Sequence, residues 1–480
     1  MSSEAASARR KRSPWAPGEA TQAALLDASR VCFNGAMSAH RYPASPVFYR
    51  ALDRALPLVV RGQGVWLYDE AGKDYLDACG GAYVANLGHG VGAIAEAVGE
   101  QLRTVAYVNG TAFTNEPAEA LAAELRTLSP AGLDYAYFLS SGSEAVEAAL
   151  KLARQHHVEA GRPDKHKVIA RTPGYHGNTL LALSASAREH YKKMYGPWLV
   201  PVRMIGAPYP YRCAPDDPAM TGAALEAAIL EEGPDTVAAF IAEPISGSST
   251  GGSVPPPEYW PNIRAICDRY DVLLIADEVL TGAGRTGRWA AVEHFGVVPD
   301  IMTMGKGLSG GYVPLSAVIT SAKVIDPIAR GSGAFKHAQT FSHTPAMCAA
   351  GLATVRYLKQ HDLVARAAAM GEVLHARLAP LMALEGVGHV RGIGLLAGIE
   401  LVADKATKAP FARRLKVAET LVACALEAGL VLWSNVGHAD GVAGDLVMVA
   451  PPFIITEAEI DTLVERLRAA LAATWNLVGA

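Results

Sequence analysis

The chain has 480 residues, of which 50% are hydrophobic and 19% are charged, and its formal net charge is −4. This length exceeds that of one compact core, so two or three subdomains are expected. The weak negative charge gives no electrostatic reason to expect nucleic acid or membrane partners, and no apolar run predicts a signal peptide or a membrane span. The six cysteines are scattered without C-x-x-C spacing, so we predict no metal site and a reducing, cytoplasmic environment.

The first segment in chain order is a basic amino-terminal stretch. Residues 1–20 carry the run Arg9-Arg10-Lys11-Arg12 in a Ser/Ala-rich context and are predicted to form a disordered tail. Residues 21–94 follow as an N-terminal segment. Within them, the apolar stretch 58–68 and the stretch that ends at Tyr75 are typical of two strands around a polar turn.

From about residue 95 the pattern changes to short apolar strands that alternate with helices. Helices are predicted at 143–155 and 258–270, and strands at 135–139, 167–170, 237–242, 272–276 and 301–304. Continuous apolar strands spaced by helices indicate a sheet that is covered on both faces, hence a large α/β domain over residues 95–345. Residues 346–480 contain alanine-rich helices interrupted by an apolar segment at 390–401, which predicts a smaller α+β domain.

The stretch Ser140-Ser-Gly-Ser-Glu144 lies where a strand turns into a helix. The free N–H groups and the positive dipole at a helix start suit a phosphate, and Gly142 would permit its close approach. Ser143 could instead be a simple N-cap, because serine is preferred there. The motif alone leaves both interpretations open.

Asp277 ends the apolar strand 272–276, at the sheet edge where ligands bind in open α/β sheets. A carboxylate removed from water needs a positive partner or strong donors. The candidate partners are Mg²⁺, for which no P-loop supplies a nucleotide, and a protonated pyridine nitrogen.

The stretch Gly282-Ala-Gly-Arg-Thr-Gly287 formally matches the dinucleotide-binding pattern G-x-G-x-x-G. Only a short helical stretch at 289–295 follows it, and no strand that ends in an acidic residue lies about twenty residues further on, as such a site requires. We therefore interpret it as a decoy.

Lys306 lies directly after the apolar strand 301–304 among four glycines, at positions 305, 307, 310 and 311. A lysine at a strand end can reach water with its ammonium, but glycines beside it also let a ligand approach. Together with the helix start, Asp277 and the aromatic Tyr175 in Tyr175-His176-Gly177, it completes the set that pyridoxal phosphate requires. In that set the lysine forms the imine, the carboxylate keeps the ring nitrogen protonated and the helix start binds the phosphate.

These motifs make the chain resemble the class III aminotransferases of the fold-type I pyridoxal phosphate enzymes, which include ω-transaminases. The resemblance covers the chain from about Phe48 to the carboxyl terminus. It implies a large, mostly parallel-sheet α/β domain and a smaller α+β domain formed by both termini, with residues 21–94 joining residues 346–480. The most specific motifs lie at 141–151, 175–177, 276–279, 284–287, 299–300 and 305–307.

The resemblance also implies a role for single residues. Lys306 would be the Schiff-base lysine and Asp277 the partner of the pyridinium nitrogen. Val279 and Tyr175 would cover opposite faces of the ring. The remaining implied cofactor contacts are Gly142 and Ser143 at the phosphate, and Glu243 as a second acid near the ring.

Thr340 resembles a threonine that reaches the phosphate across a dimer interface, so a homodimer or higher homo-oligomer is expected. The family usually continues this motif with Gly-His-Pro, whereas this chain reads His343-Thr344-Pro345. The geometry of this loop is therefore expected to differ.

The function implied is a ping-pong transamination from an amine or ω-amino donor to a keto acid or aldehyde. Aminomutase, epimerase and decarboxylase activities of the same family would use nearly the same residues, and a nicotinamide-dependent oxidoreductase is the alternative from another class. Relatives that bind an amino acid often carry an arginine shortly before the Pro-Pro that corresponds to Pro451-Pro452, whereas residues 434–450 of this chain contain no arginine or lysine. Ala82 lies where ω-transaminases often place a bulky aromatic, and the sequence leaves open whether Tyr83 points into the pocket. The resemblance therefore implies a donor that is an amine or whose amino group is distant from any carboxylate. Arg212 and Arg285 are the candidates for binding the carboxylate of an acceptor such as pyruvate.

Overall fold

The computed structural model of the protein describes residues 40–479. The predicted tail at 1–20 lies outside the described residues, as does the beginning of the segment 21–94. Among the described helices, none is long and apolar enough to cross a membrane.

A seven-stranded sheet forms the centre of the larger part of the molecule. Its strand order is β4-β10-β9-β8-β7-β5-β6, and β10 is the one strand that runs antiparallel to its neighbours. Because the strands are buried on both faces, their sequences are apolar without alternation. The strands are β4 (Tyr135–Leu139), β5 (Lys167–Thr172), β6 (Arg203–Gly206), β7 (Val237–Ala242), β8 (Leu273–Asp277), β9 (Ile301–Met304) and β10 (Ser316–Thr320).

The five strands predicted for this region are confirmed, and two others were missed. β6 is short and partly exposed, so its sequence carries little apolar signal. β10 is antiparallel and follows a glycine-rich stretch that we interpreted only as space beside Lys306. The mostly parallel α/β architecture is as expected.

Helices cover both faces of this sheet, and two of them were predicted. The helix predicted at 143–155 begins one residue earlier and ends four residues later, and the one predicted at 258–270 lies within those limits. The helices of this region are Gly92–Thr104, Glu116–Leu128, Gly142–Glu159, Leu180–Ala185, Glu189–Tyr195, Pro218–Thr221, Ala223–Glu232, Tyr259–Arg269 and Ala322–Arg330.

The carboxyl-terminal region packs four helices against an antiparallel sheet. The sheet order is β11-β12-β15-β14, formed by β11 (Val387–Gly392), β12 (Ala397–Leu401), β14 (Trp433–Val436) and β15 (Asp445–Val449). The apolar segment predicted at 390–401 is thus the hairpin of β11 and β12. The helices are Pro345–Gln360, Leu363–Leu378, Val417–Glu427 and Glu457–Val478.

A third sheet connects the two ends of the described chain. Its order is β1-β2-β3-β13, and β13 (Leu430–Val431) pairs in parallel with β3 (Asp74–Asp77). The interpretation of 58–68 as one strand is wrong: Gly64 adopts a φ of +60° and turns the chain, which separates β1 (Val59–Gln63) from β2 (Trp66–Asp69). The exact domain boundaries stay predictions.

Candidate active site

The sheet brings the predicted site residues to one edge. β4, β5, β7, β8 and β9 run in the same direction, so the segments that follow them emerge together at their carboxyl ends. These segments carry Ser140 to Ser143, Tyr175 and His176, Glu243, Asp277 and Lys306.

The helix Gly142–Glu159 begins at this edge, and Ser143 is not its capping residue. Its N-cap is Ser141, whose side chain accepts a hydrogen bond from Glu144 N at 3.3 Å, so the N-cap interpretation of Ser143 is wrong. Ser143 lies in the first turn, and its hydroxyl accepts a hydrogen bond from Asn178 N at 3.1 Å. The first-turn N–H groups that a phosphate would need have no intrahelical partner.

Position 142 must be a glycine because the Val279 side chain lies too close for a Cβ atom. A Cβ at this position would lie 2.6 Å from Cγ1 of Val279, and a Cβ at Gly305 would lie 3.3 Å from the same atom. Val279 therefore packs between the helix start and the segment that carries Lys306. Three motifs far apart in the sequence meet at this valine.

Asp277 is buried, and its carboxylate has three partners. Its Oδ2 lies 2.6 Å from Nδ1 of His176, and its Oδ1 accepts hydrogen bonds from Val279 N and the Thr303 hydroxyl, both at 3.1 Å. His176 Nε2 is buried and has no hydrogen-bond partner within residues 40–479. No local pattern singles out His176 or Thr303, because only the pairing of β8 with β9 and the fold of the 175–177 loop bring them to Asp277.

Glu278, the neighbouring acid, points to the other side of the strand end. Its Oε1 accepts a hydrogen bond from Val292 N at 2.8 Å, and its Oε2 accepts one from the Thr281 hydroxyl. Burial raises the pKa of Glu278 to about 7, although these hydrogen bonds oppose the increase. Of the two adjacent acids, only Asp277 faces the cluster around His176.

Lys306 opens a short 3₁₀ turn directly after β9, in a backbone conformation with a φ of +45° that L-residues seldom adopt. Its Nζ lies 5.3 Å from the ring centroid of Tyr83. Burial lowers the pKa of Lys306 to about 8, while the negative charges of Asp277 and Glu243 partly oppose the decrease. A lysine whose pKa lies this close to physiological pH is partly neutral there, so it is suited to act as a nucleophile or a base.

Glu243 follows β7 and is also buried. Its Oε1 accepts a hydrogen bond from Gly247 N at 3.3 Å, whereas Oε2 has no partner within the described part of the chain. Burial raises the pKa of Glu243, an increase that the charge of Asp277 reinforces and that of His176 opposes. Such an unsatisfied acid beside Asp277 is typical of a ligand site.

Tyr175 and Tyr83 face the same region from two sides. Tyr175 is partly buried, with its ring 5.2 Å from the guanidinium carbon of Arg188. Tyr83 is buried with a φ of +66°, and its hydroxyl has no partner among residues 40–479. The structure therefore answers the question that the sequence left open, because Tyr83 points inward.

Thr340 lies on the surface of the described chain. Its neighbour Gln339 donates a hydrogen bond to Oε1 of Glu144 at 2.6 Å, which places the loop beside the helix start. His343 has a φ of +55°, consistent with an altered loop. The role of Thr340 in a partner's site stays a prediction.

The two arginines proposed for an acceptor carboxylate are engaged elsewhere. Arg212 forms an ion pair with Glu400 at 2.6 Å and donates to the carbonyl of Lys408 at 3.1 Å. Arg285 is 1% exposed and donates to the carbonyls of Leu395 and Pro451 at 2.9 and 2.6 Å. Glu400 therefore neutralises Arg212, which contradicts the interpretation of that residue. Arg285 has only neutral acceptors and its Nη2 has no hydrogen-bond partner within residues 40–479, so its role at a carboxylate stays a prediction.

The glycine pattern at 282–287 does not open a helix. A Cβ at Gly287 would lie 2.7 Å from Cβ of Ala368, and one at Gly284 would lie 3.0 Å from side-chain atoms of Val364 and Phe453. These glycines allow the loop to pack against the carboxyl-terminal region, which confirms that the pattern is a decoy. No group of three His, Cys, Asp or Glu side chains converges as metal ligands would within residues 40–479.

Comparisons with known proteins agree with this geometry. The family described as Aminotransferase class-III matches residues 48–471. The chain is 38% identical to the diaminobutyrate–2-oxoglutarate transaminase of Halomonas elongata over 428 residues, 86% of this chain and 90% of the relative. It is 38% identical to the taurine–pyruvate aminotransferase of Rhodobacter capsulatus over 433 residues, again 86% of this chain and 90% of the relative.

A solved structure is similar over a comparable length. The ω-transaminase of Pseudomonas jessenii in complex with PMP superposes with a TM-score of 0.84 and 33% identity, covering 91% of this chain and 97% of that protein. The fold-type I architecture expected from the motifs is thus confirmed, and no observation supports the nicotinamide alternative. This chain belongs to the class III aminotransferase family.

Proposed function

We propose that the protein is a pyridoxal 5′-phosphate-dependent transaminase that works as a cytoplasmic homodimer. It transfers the amino group of an amine or ω-amino donor to a keto acid or aldehyde by a ping-pong mechanism. The observation that carries the proposal is the buried lysine amine at the end of β9, with its pKa lowered to about 8, within electrostatic reach of Asp277 and Glu243. The five described cysteines are free thiols, as a reducing cytoplasm would leave them.

The residues at the sheet edge fit pyridoxal phosphate. His176 Nε2 and Glu243 Oε2 are buried polar atoms without partners among residues 40–479, and Gly142 and Gly305 keep the space around Val279 free of side chains. When bound, this cofactor supplies an aldehyde carbon that combines with amines and a protonated ring that withdraws electrons from the substrate. Gly142 and Ser143 would hold its phosphate, together with Thr340 of the partner subunit.

Asp277 would keep the proton on the pyridine nitrogen. The 2.6 Å contact with His176 and the two hydrogen bonds from Val279 N and Thr303 fix the orientation of its carboxylate. Val279 and Tyr175 would contact the two faces of the ring, and Glu243 would lie near its edge.

Lys306 would perform two tasks with the same atom. As an amine nucleophile, its Nζ would hold the cofactor through the aldehyde carbon in the resting enzyme, and a donor amine would release it. Nζ then accepts the proton from the substrate carbon that bears the amino group, as a general base. The lowered pKa of Lys306 suits both tasks, since about a tenth of its amine is neutral at pH 7, a far larger fraction than in a lysine of ordinary pKa.

The surface around the Thr340 loop supports a homodimer. Phe341 and Tyr107 are 59% and 46% exposed with ring centroids 6.2 Å apart, and Phe113 is 68% exposed. Phe113 and His343 line a cavity of about 400 Å³ at this surface. An exposed aromatic cluster of this kind is typical of an interaction surface. Sedimentation should show a dimer or larger assembly; an active, cofactor-loaded monomer would contradict this part of the proposal.

A half-reaction screen tests the proposed function. The purified protein loaded with pyridoxal phosphate should lose its visible absorbance when simple amines or ω-amino acids are added, and pyruvate or an aldehyde should restore it. Borohydride reduction, proteolysis and mass spectrometry should place a pyridoxyl group on Lys306. Conversion by α-amino acids alone would overturn the proposed donor class, and product formed without any consumption of acceptor would indicate an aminomutase, epimerase or decarboxylase.

A further inference from the structure

Arg188 is a cation at the edge of the site that none of the steps above uses. It directly precedes the helix Glu189–Tyr195 and is partly buried. One guanidinium nitrogen donates to the Ser248 hydroxyl at 3.0 Å, and another is hydrogen-bonded to Oδ1 of Asn435. Its guanidinium carbon lies 5.2 Å from the centroid of the Tyr175 ring, so Arg188 contacts the aromatic side chain proposed to cover the cofactor.

Two other arginines of this region are paired with a buried carboxylate, whereas Arg285 donates only to backbone carbonyls. Arg212 and Arg391 both form ion pairs with Glu400, at 2.6 and 2.7 Å. Arg188, by contrast, has no ion pair with any carboxylate within residues 40–479, and its two side-chain acceptors are neutral. A largely desolvated cation that lacks a counter-ion is costly, and burial lowers the pKa of Arg188 against the opposing charge of Glu243.

The position of Arg188 explains how the site can hold an anion although residues 434–450 contain no arginine or lysine. Asn435 belongs to β14 in that segment, so the guanidinium reaches from the large sheet region to this strand. Trp433, on the same strand, lies 6.1 Å from Tyr83, which in turn lies 5.3 Å from Lys306 Nζ. Arg188, Tyr83 and Lys306 therefore border one space, beside Tyr175.

We infer that Arg188 binds the carboxylate of the keto-acid acceptor and is the residue that distinguishes keto acids from neutral aldehydes. This inference rests on the proposed function. A guanidinium has five donors, so two can stay with Ser248 and Asn435 while others form a paired contact with a carboxylate. A donor amine that lacks a carboxylate needs no such contact, which matches a pocket that alternates between such a donor and an anionic acceptor.

The test compares two acceptors in the cofactor-loaded enzyme. In Arg188→Gln, kcat/KM for pyruvate should fall about 100-fold, as expected for the loss of a charge-assisted hydrogen-bonded pair. The value for a small aldehyde, and the rate of the half-reaction with a neutral amine, should stay near those of the wild type. Arg188→Lys should restore part of the pyruvate activity. Arg203→Ala is the matched control, because it removes the same charge from a surface ion pair with Glu231.

Binding supplies a readout that does not depend on turnover. Calorimetric titration with propanoate, a carboxylate that lacks the reactive carbonyl, should show binding to the wild type and at least about a tenfold weaker affinity in Arg188→Gln. If Arg188→Gln lowers kcat/KM equally for pyruvate and the aldehyde, or leaves the affinity for propanoate unchanged, the inference is overturned. The transaminase assignment is not affected by either result. A wild-type enzyme that aminates neither acceptor would instead overturn the proposed function.

A second variant keeps the test decisive if Arg188→Gln does not fold. Asn435→Asp places a carboxylate on the guanidinium that Asn435 now contacts, so it neutralises the charge without removing the arginine. This variant should lower kcat/KM for pyruvate and the affinity for propanoate, but not kcat/KM for the aldehyde. If Asn435→Asp leaves the preference for pyruvate over the aldehyde unchanged, Arg188 does not bind the acceptor.

Discussion

Glu400 and Asp277 are both buried carboxylates at strand positions, but their surroundings differ. Glu400, in β12, has ion pairs with Arg212, Arg391 and His438, and a hydrogen bond from Tyr209. Asp277, at the end of β8, has His176 and two neutral donors.

The difference separates a structural cluster from a ligand site. The Glu400 cluster holds more positive than negative charge and joins the carboxyl-terminal sheet to the loop of Arg212 and, through Arg391, to the carbonyl of Thr250 at 2.8 Å. The Asp277 cluster instead contains Glu243 Oε2 and His176 Nε2, which are buried and have no hydrogen-bond partner among residues 40–479. Buried groups that satisfy one another stabilise the fold, whereas groups left incomplete indicate a missing partner.

The largest expected effect is on turnover in Lys306→Ala. Because the amine both attaches to the cofactor and moves the proton, we expect a loss on the order of 10⁴-fold or more in kcat. The measurement is steady-state transamination together with mass spectrometry after borohydride. Lys359→Ala, which removes an exposed lysine paired with Glu124, is the control. Comparable turnover with a reducible linkage still present would show that another lysine is responsible.

Asp277→Asn should bind the cofactor but slow proton transfer by about 10³-fold, because an amide cannot keep the pyridine nitrogen charged. The rate is measured in single-turnover experiments with a deuterated amine. Asp300→Asn is the comparison, since Asp300 is also buried but pairs with Arg264 and Lys323 at 2.8 Å. Asp300→Asn should lower the stability of the protein without changing the proton-transfer rate. An unchanged proton-transfer rate in Asp277→Asn would show that Asp277 has only a structural role.

Glu400→Gln should lower the free energy of unfolding by about 3–5 kcal/mol, because it leaves two buried guanidinium groups unpaired. Although burial alone would raise it, the hydrogen bond from His438 and the charge of Arg391 hold the pKa of Glu400 well below its usual range. The stabilisation is therefore complete above the unfolded-state pKa of about 4.3 and is lost as the pH falls below it. Urea unfolding of both proteins should show a difference that shrinks in acid; a constant difference would contradict this account.

The smallest effect concerns pH and the apoenzyme. Because the pKa of Lys306 is lowered to about 8, its amine is mostly protonated at pH 7 and mostly neutral at pH 9. The rate at which added pyridoxal phosphate gains its enzyme-bound absorbance should increase about tenfold between these values and then level off. A continued increase toward pH 10.5 would show that burial does not shift this lysine.

The local elements and the site motifs could be predicted from the sequence because each depends on neighbours along the chain. β7 and β9 have the predicted bounds, since a fully buried strand needs a continuous apolar run. Lys306 and Asp277 stood out because polar groups directly after such strands must lie at the sheet edge. The glycine at 142 was recognised for the same reason.

Only the tertiary structure decided which distant residues contact one another. Nothing near Arg212 in the sequence indicates that Glu400, 188 residues away, neutralises it, or that Arg188 meets Asn435, 247 residues away. His176 acquires its importance only through the 2.6 Å contact with Asp277. Pairing of charges depends on packing across sheets and domains, where burial makes each unsatisfied charge costly, and no local pattern of residue types encodes that choice.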